Sequence, residues 1–394
     1  MKILNVVSDM RLESGGIATA VGGMTEGLAA LGHEITIWCL GRGGNPLTPK
    51  KVTIRQFAPD RQSSLLPSRD LYAHLAANVC EFDIVHIHGC WQHPSHYAAR
   101  TASRSGVPYV LAPHGMLDAA SLKMGRRWAK SIAWFLWDSA MLHGAAAVHC
   151  LNHAEVRCSP VLKKTRNVII GNGVPRAALS DLPVRGAWRA QNAALLGDPG
   201  RPIVLFMSRL HPKKGLERLL RSWTKLLGVH PAAVLVIAGT GDSGYLQQVG
   251  SLIKEIGLQE SVFLIGQVSG IAKWQAFVDA DVFVLPSFQE GFSMAITEAM
   301  GAGLPVVITR ECNFDEVSQC KGGVIIEDGN MDSFVAAASR LLGDREERRR
   351  LGANGRNLIS TQFTWEAAAQ KLEQLYKTLA TGVPLPGDAG RGQV

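Results

Sequence analysis

The sequence predicts an α/β protein of two domains, each built on a mostly parallel sheet with crossover helices. Two observations lead there. Short runs rich in Val, Ile and Leu end in Gly, Ser, Pro or His and are followed by stretches of helical period, the pattern of buried parallel strands alternating with helices. The chain also has 394 residues, 46% of them hydrophobic, which exceeds the roughly 250 to 300 residues at which one core divides.

Taken in order, the strands of the first half are expected at 2–7, 34–40, 52–57, 83–88, 108–112, 145–150 and 167–170. Those of the second half are expected at 202–207, 232–238, 261–265, 281–285, 305–309 and 323–327. Residues 176–201 carry Pro183, Pro199 and Gly200 and no convincing strand, and are expected to connect the domains. The domains are therefore placed at 1–180 and 181–380, with 381–394, rich in Gly and Pro, as a mobile tail.

Lys and Arg number 41 against 33 Asp and Glu, a formal balance of +8. Every apolar run is shorter than the roughly 18 to 20 residues of a membrane span, and Ser8-Asp9 closes the opening stretch, which speaks against a signal peptide. Seven cysteines, at 39, 80, 90, 150, 158, 312 and 320, form no C-x-x-C pair and read as reduced thiols of a cytoplasmic protein. Neither a P-loop nor a G-x-S-x-G elbow is present, against an ATPase of that class and an α/β-hydrolase.

Open parallel sheets bind ligands beyond the carboxyl ends of their strands, so chemistry is sought in the residues that follow strands. Gly15-Gly16 comes after the first strand and opens a helix. Such a turn lets backbone amides reach a phosphate, or simply lets the helix pack on the sheet. Arg209 and Lys214, in Ser208-Arg209-Leu210-His211-Pro212-Lys213-Lys214-Gly215, follow the first strand of the second half. Two cations there suit a diphosphate, and a solvated basic turn is the alternative.

The sharpest segment is Pro286-Ser287-Phe288-Gln289-Glu290-Gly291-Phe292-Ser293-Met294-Ala295-Ile296-Thr297-Glu298. It follows an apolar strand, and Ser293 is a good helix start. Glu290 then sits in the loop and Glu298 about one and a half turns into the helix. Carboxylates so placed can accept hydrogen bonds from the hydroxyls of a hexose and a ribose. Among the apolar neighbours of Glu298, an unpaired carboxylate would be costly. His114, in Pro113-His114-Gly115-Met116, also follows a strand, with a glycine leaving room beside the imidazole.

Two further patterns are discounted. Gly239-Thr240-Gly241-Asp242-Ser243-Gly244 fits G-x-G-x-x-G but follows the second strand of its domain, and the acidic residue near the expected offset, Glu260, closes no strand. His86, His88, Cys90, His93 and His96 match no standard zinc spacing, and the segment is read as the lip of a cleft.

Together these residues resemble the retaining GT-B glycosyltransferases of family four, the group 1 glycosyltransferases. The resemblance covers nearly the whole chain. It is most specific at residues 290–307 and 208–215, and the first half is most similar to bacterial exopolysaccharide and lipopolysaccharide transferases through His88-Gly89-Cys90-Trp91 and Pro113-His114-Gly115-Met116-Leu117.

The resemblance implies two Rossmann-like domains facing across a cleft, a nucleotide-sugar donor held mainly by the second, and a last helix near 365–379 packing on the first. Arg209 and Lys214 would bind the donor diphosphate, Glu298 the ribose and Glu290 a sugar hydroxyl. Gly291 would line the donor site, amides of Phe292, Ser293, Met294 and Ala295 would touch sugar and phosphate, Gly15 and Gly16 would close over the diphosphate, and His114 would contact the sugar. Ser293 departs from the Pro or Gly often found there. His114, Arg209, Lys214 and Glu290 are the catalytic candidates, with no metal and no cofactor. Sugar-nucleotide epimerisation on the same fold and non-catalytic nucleotide-sugar binding are the competing functions.

Residues 100–166 hold ten basic side chains against three acids, a balance of +7. Within them, Lys123, Arg126, Arg127 and Lys130 precede Trp134, Phe135 and Trp137. That order suits peripheral contact with an anionic membrane and a saccharide or polyprenyl-diphosphate-linked acceptor, or else a core helix with a solvated basic face. No nucleic-acid motif accompanies the charge. The expected location is the cytoplasm, at the cytoplasmic face of the membrane.

Overall fold

The structure, a computed structural model, describes residues 1–11, 16–41, 43, 46–61, 63–119, 134–327 and 329–381. It divides into two compact units, residues 1–173 with 365–394, and residues 174–364. Gly15, the basic residues from Lys123 to Lys130 and the tail beyond 381 lie outside the described residues.

The first unit carries β1 (Lys2–Val7), β2 (Glu34–Leu40), β3 (Thr53–Phe57), β4 (Ile84–His88), β5 (Tyr109–Ala112), β6 (Ala147–Cys150) and β7 (Asn167–Ile169). They form one sheet in the order β3-β2-β1-β4-β5-β6-β7, and each neighbouring pair is parallel. The second unit carries β8 (Ile203–Met207), β9 (Val234–Ala238), β10 (Val262–Gly266), β11 (Val282–Leu285), β12 (Val306–Thr309) and β13 (Gly323–Ile326). Their order is β10-β9-β8-β11-β12-β13, again parallel throughout.

Two of the strands that start one residue later than expected, at Ile84 and Val282, do so because the aspartate that leads each has another task. Asp83 accepts from Lys2 N at 2.7 Å and Asp281 from Ile203 N at 2.9 Å, tying neighbouring strand ends together. Strand order reverses beside β1 and β4 in one sheet and beside β8 and β11 in the other. Each unit therefore has a topological switch point, where the crevice outside the strand ends receives ligands.

Residues 176–201 are not a free connection. They form the short helices Arg176–Ser180, Ala187–Gln191 and Ala193–Leu196, whose Leu179, Trp188 and Leu196 are buried in the second core. Arg189 donates to Asp281 at 2.9 Å and its amide to Asp279 at 2.9 Å. The apolar residues are too sparse to read as an element, yet the second unit begins at Val174 because Leu179 and these Arg189 contacts belong to it. At the other end, the helix Trp365–Ala380 belongs to the first unit. It lies against the helix Gly16–Ala30 at Gly23 and Gly27, where an added Cβ would come 2.1 Å from the Trp365 ring and 2.8 Å from Trp365 O.

Candidate active site

In the second unit the site residues gather at the β8/β11 switch point. The strap after β8 is clipped to the loop after β9 by Ser208 N to Ala238 O at 3.1 Å and Leu210 N to Thr240 O at 2.7 Å. Gly239 and Gly241 make this approach possible, since a Cβ on either would stand 1.9 or 2.0 Å from the Ser208 or Leu210 carbonyl. The G-x-G-x-x-G pattern thus serves packing. Between the two clips the Arg209 side chain is exposed, with no ion pair among the described residues.

The chain then turns through Pro212–Lys214 and leaves it at Gly215, φ 71°. A side chain at Gly215 would strike Pro286 O at 1.9 Å. This contact brings the strap onto the loop after β11, with Phe288 N on Lys213 O at 2.7 Å. Lys214 is buried there, its Nζ 2.6 and 2.7 Å from the two carboxylate oxygens of Glu290. Ser287 Oγ donates to Glu290 Oε1 at 2.6 Å. The backbone of Glu290 is held at both ends, its N on Glu311 O at 2.9 Å and its O accepting from Asn313 Nδ2 at 2.7 Å. A buried pair with these extra bonds is stable only as a pair, because either charge alone would be uncompensated.

The helix Met294–Gly301 begins beyond Ser293, which occupies the cap position but makes no side-chain cap bond. Gly291 is exposed, Phe292 packs edge-on against Phe314, and Met294 and Ala295 are half-buried at the helix start. Glu298 is half-buried and pairs with Lys273 Nζ at 2.6 Å. Burial raises the Glu298 carboxyl above its ordinary pKa, and the adjacent ammonium opposes that shift. Lys273, 25 residues away on the helix Gly270–Asp279, is invisible to local sequence reading. Only the cost of burying Glu298 signals that some partner must exist.

In the first unit, Gly16 opens its helix with nothing within 4 Å of where its Cβ would be, so packing on the sheet does not require a glycine there. His114 follows β5 in the left-handed region, φ 53°, and Gly115 continues at φ 75°, a conformation that a non-glycine residue holds only when its surroundings impose it. Glu155, unremarked in the sequence, imposes it by accepting from Gly115 N at 2.6 Å and from Leu151 N at 2.7 Å. His114 Nε2 lies 3.1 Å from His88 Nδ1, and burial pushes the His114 imidazole down to about 3.

His86 and His88 share one face of β4, as their alternation predicts, but that face is interior and both rings are buried. They are not the lip of a cleft. Among the described residues no group of His, Cys, Asp or Glu is arranged to hold a metal. His93 and His96 instead pack against Trp137, at 5.4 and 5.7 Å between ring centroids. Trp134 faces Trp91 at 6.4 Å, while Phe135 is 86% exposed. The aromatic segment is therefore split, two indoles packed and one phenyl ring in solvent. No helix of the described residues is long and apolar enough to cross a membrane, and all seven cysteines are free thiols.

Residues 189–358 match the family model of glycosyl transferases group 1, and residues 15–173 that of a glycosyl transferase 4-like domain. A GDP-mannose-dependent alpha-(1-6)-phosphatidylinositol monomannoside mannosyltransferase of Mycobacterium tuberculosis is 31% identical over 282 residues, 67% of this chain and 71% of that one. The chain belongs to the group 1 glycosyltransferases. This glycosyltransferase is also 25% identical to an uncharacterized glycosyltransferase, MJ1607, of Methanocaldococcus jannaschii, over 92% of this chain and 94% of the other. Its fold matches that of Anabaena HepE, solved with UDP-glucose, at a TM-score of 0.75 and 17% identity, over 96% of this chain and 100% of HepE. The GT-B fold expected from the resemblance is thus the fold observed.

Proposed function

We propose that this glycosyltransferase moves a hexose from a nucleotide-diphosphate sugar, with retention of configuration, to a glycan or lipid-linked saccharide in cell-surface polysaccharide synthesis. The observation that carries the reading is the Lys214–Glu290 pair at the switch point, buried and held further by the Ser287 hydroxyl. An ammonium has three N–H donors. Two are committed to Glu290, which leaves one for a diphosphate oxygen, while Arg209 offers a forked second cation from the strap. The relative named for a GDP-mannose donor and a lipid-borne acceptor, and the HepE complex with UDP-glucose, support this class of donor and acceptor.

In this mechanism negative charge grows on the departing diphosphate. Arg209, Lys214 and the amides of Phe292, Ser293, Met294 and Ala295 are preorganised to receive it, which is the largest lever such a site has. Glu298, with one oxygen on Lys273, keeps the other for the ribose. Glu290 orients a sugar hydroxyl, His114 contacts the sugar, and Gly15 and Gly16 close over the diphosphate. The acceptor hydroxyl enters on the face the phosphate leaves. With two protein cations on the diphosphate, no metal is assigned.

The test is a thermal-shift and hydrolysis panel with UDP-, GDP- and ADP-sugars, run with and without EDTA. One donor series is expected to stabilise the protein and turn over equally in both conditions, with the anomeric configuration kept in the transfer product. Arg209→Ala is the clean variant, because an exposed side chain is removed without cost to the core. Its turnover, and that of Lys214→Ala, should fall by orders of magnitude. Near wild-type rates in both would refute the site, and an inverted product would refute retention.

A further inference from the structure

Four imidazoles of the first unit form two hydrogen-bonded chains whose protons can be assigned one at a time. His149 Nε2 lies 2.8 Å from Ile170 O. A carbonyl only accepts, so His149 Nε2 carries the proton. A neutral imidazole has one N–H, so His149 Nδ1 is bare, and His86 Nε2, 3.3 Å away, donates to it. His86 Nδ1 is bare in turn and accepts the Tyr376 hydroxyl proton at 2.6 Å.

The second chain begins at Asn5 Oδ1, 3.1 Å from His88 Nε2. His88 Nε2 therefore carries its proton, His88 Nδ1 is bare, and His114 Nε2 donates to it across 3.1 Å. Neutrality follows from the surroundings: burial holds all four rings below their ordinary pKa. The His86 and His88 ring centroids are also only 4.2 Å apart, where two charges would repel.

We infer that His88 is a positioning residue that locks His114 as its Nε2–H form, leaving Nδ1 bare to accept a hydrogen bond from a hydroxyl of the donor sugar. The inference rests on the proposed contact between His114 and that sugar, and it specifies which partner the contact takes. A hydroxyl donates to a bare nitrogen. A carboxylate or carbonyl placed there would set two acceptors against each other. The backbone that carries the ring is fixed by φ 53° at His114 and by the Gly115 amide on Glu155, and the bond to His88 holds the ring itself. The direction of the chain turns on Asn5, whose Nδ2 is buried without a partner among the described residues. Reversing that amide would reverse both protons and leave His114 with Nδ1–H.

Long-range proton–nitrogen NMR of the free wild-type protein decides between the two, with His114 assigned by the resonance lost in His114→Gln. The expected spectrum has His114 protonated at Nε2 and bare at Nδ1. A proton on Nδ1, or a charged ring at neutral pH, in the wild-type protein would overturn the inference. In His88→Phe the His114 tautomers should mix. Hydrolysis of whichever of UDP-, GDP- or ADP-glucose is turned over should then drop about tenfold in kcat/KM, the scale of one hydrogen bond, while affinity for the matching nucleoside diphosphate is unchanged. His88→Gln, which can donate to Asn5 and accept from His114, should restore the rate. Equal loss of nucleoside diphosphate affinity in His88→Phe would mean that His88 only supports the fold, and would overturn the positioning role. Unchanged hydrolysis in His114→Ala would instead refute the contact with the sugar, leaving the tautomer assignment standing.

Discussion

Lys273 shows how a site residue can be hidden from its own sequence. Glu298 is conspicuous because a carboxylate stands among Ala295, Ile296, Ala299 and Met300, and burying it alone is costly. The answering cation comes from another helix, so only the folded chain names it. The pair makes a prediction. With Lys273→Ala, the burial that already raises the Glu298 carboxyl acts unopposed, and the proposed ribose contact weakens as the group protonates. Nucleotide affinity measured by calorimetry should drop about tenfold at neutral pH and recover as pH rises, since a raised carboxyl ionises only at higher pH. An affinity equal to wild type would remove Glu298 from the ribose site. Glu290→Gln, which keeps an oxygen acceptor for Lys214 Nζ, should do the opposite, losing sugar transfer while nucleotide affinity survives, and the reverse outcome would exchange the two glutamate roles.

Among elements, strands were the most legible. The inner strands are runs of β-branched and aliphatic residues buried on both faces, and that composition survives any tertiary arrangement. The helices at 176–196 were not, because they have four or five residues each and only Leu179, Trp188 and Leu196 to anchor them. The helix Trp365–Ala380 was legible as a helix from its period, but its docking depends on two glycines more than three hundred residues away. Gly23→Ala should therefore cost about 1 to 3 kcal/mol, the usual range for overpacking. Chemical denaturation would measure it, and limited proteolysis should show the 365–380 segment cut earlier than in wild type. A variant as stable and as resistant as wild type would mean that Trp365 can repack freely.

At the scale of the whole molecule, charge is distributed rather than merely present. Of the formal +8, residues 100–166 account for a balance of +7. Phe135 stands exposed in the same stretch. The protein should float with vesicles containing anionic lipid at low salt and be released as salt rises, because attraction to headgroups decays within a Debye length of about 10 Å at 0.1 M. No flotation at low salt would sink the membrane contact and leave the basic run a solvated face.

Sequence by itself determined the α/β class, the strands of the described residues, and the residues that follow them at the sheet ends, because strand composition and strand-end position are local properties. It also marked Glu290 and Lys214 as separate candidates. Tertiary structure decided that these two are one buried ion pair, that Glu298 belongs with Lys273, and that His86 and His88 are interior rings in two separate chains, His86 bonded to Tyr376 and His88 to His114. The reason is physical. Burying charge and imidazole demands partners, and the partners come from wherever in 394 residues the sheet order brings them.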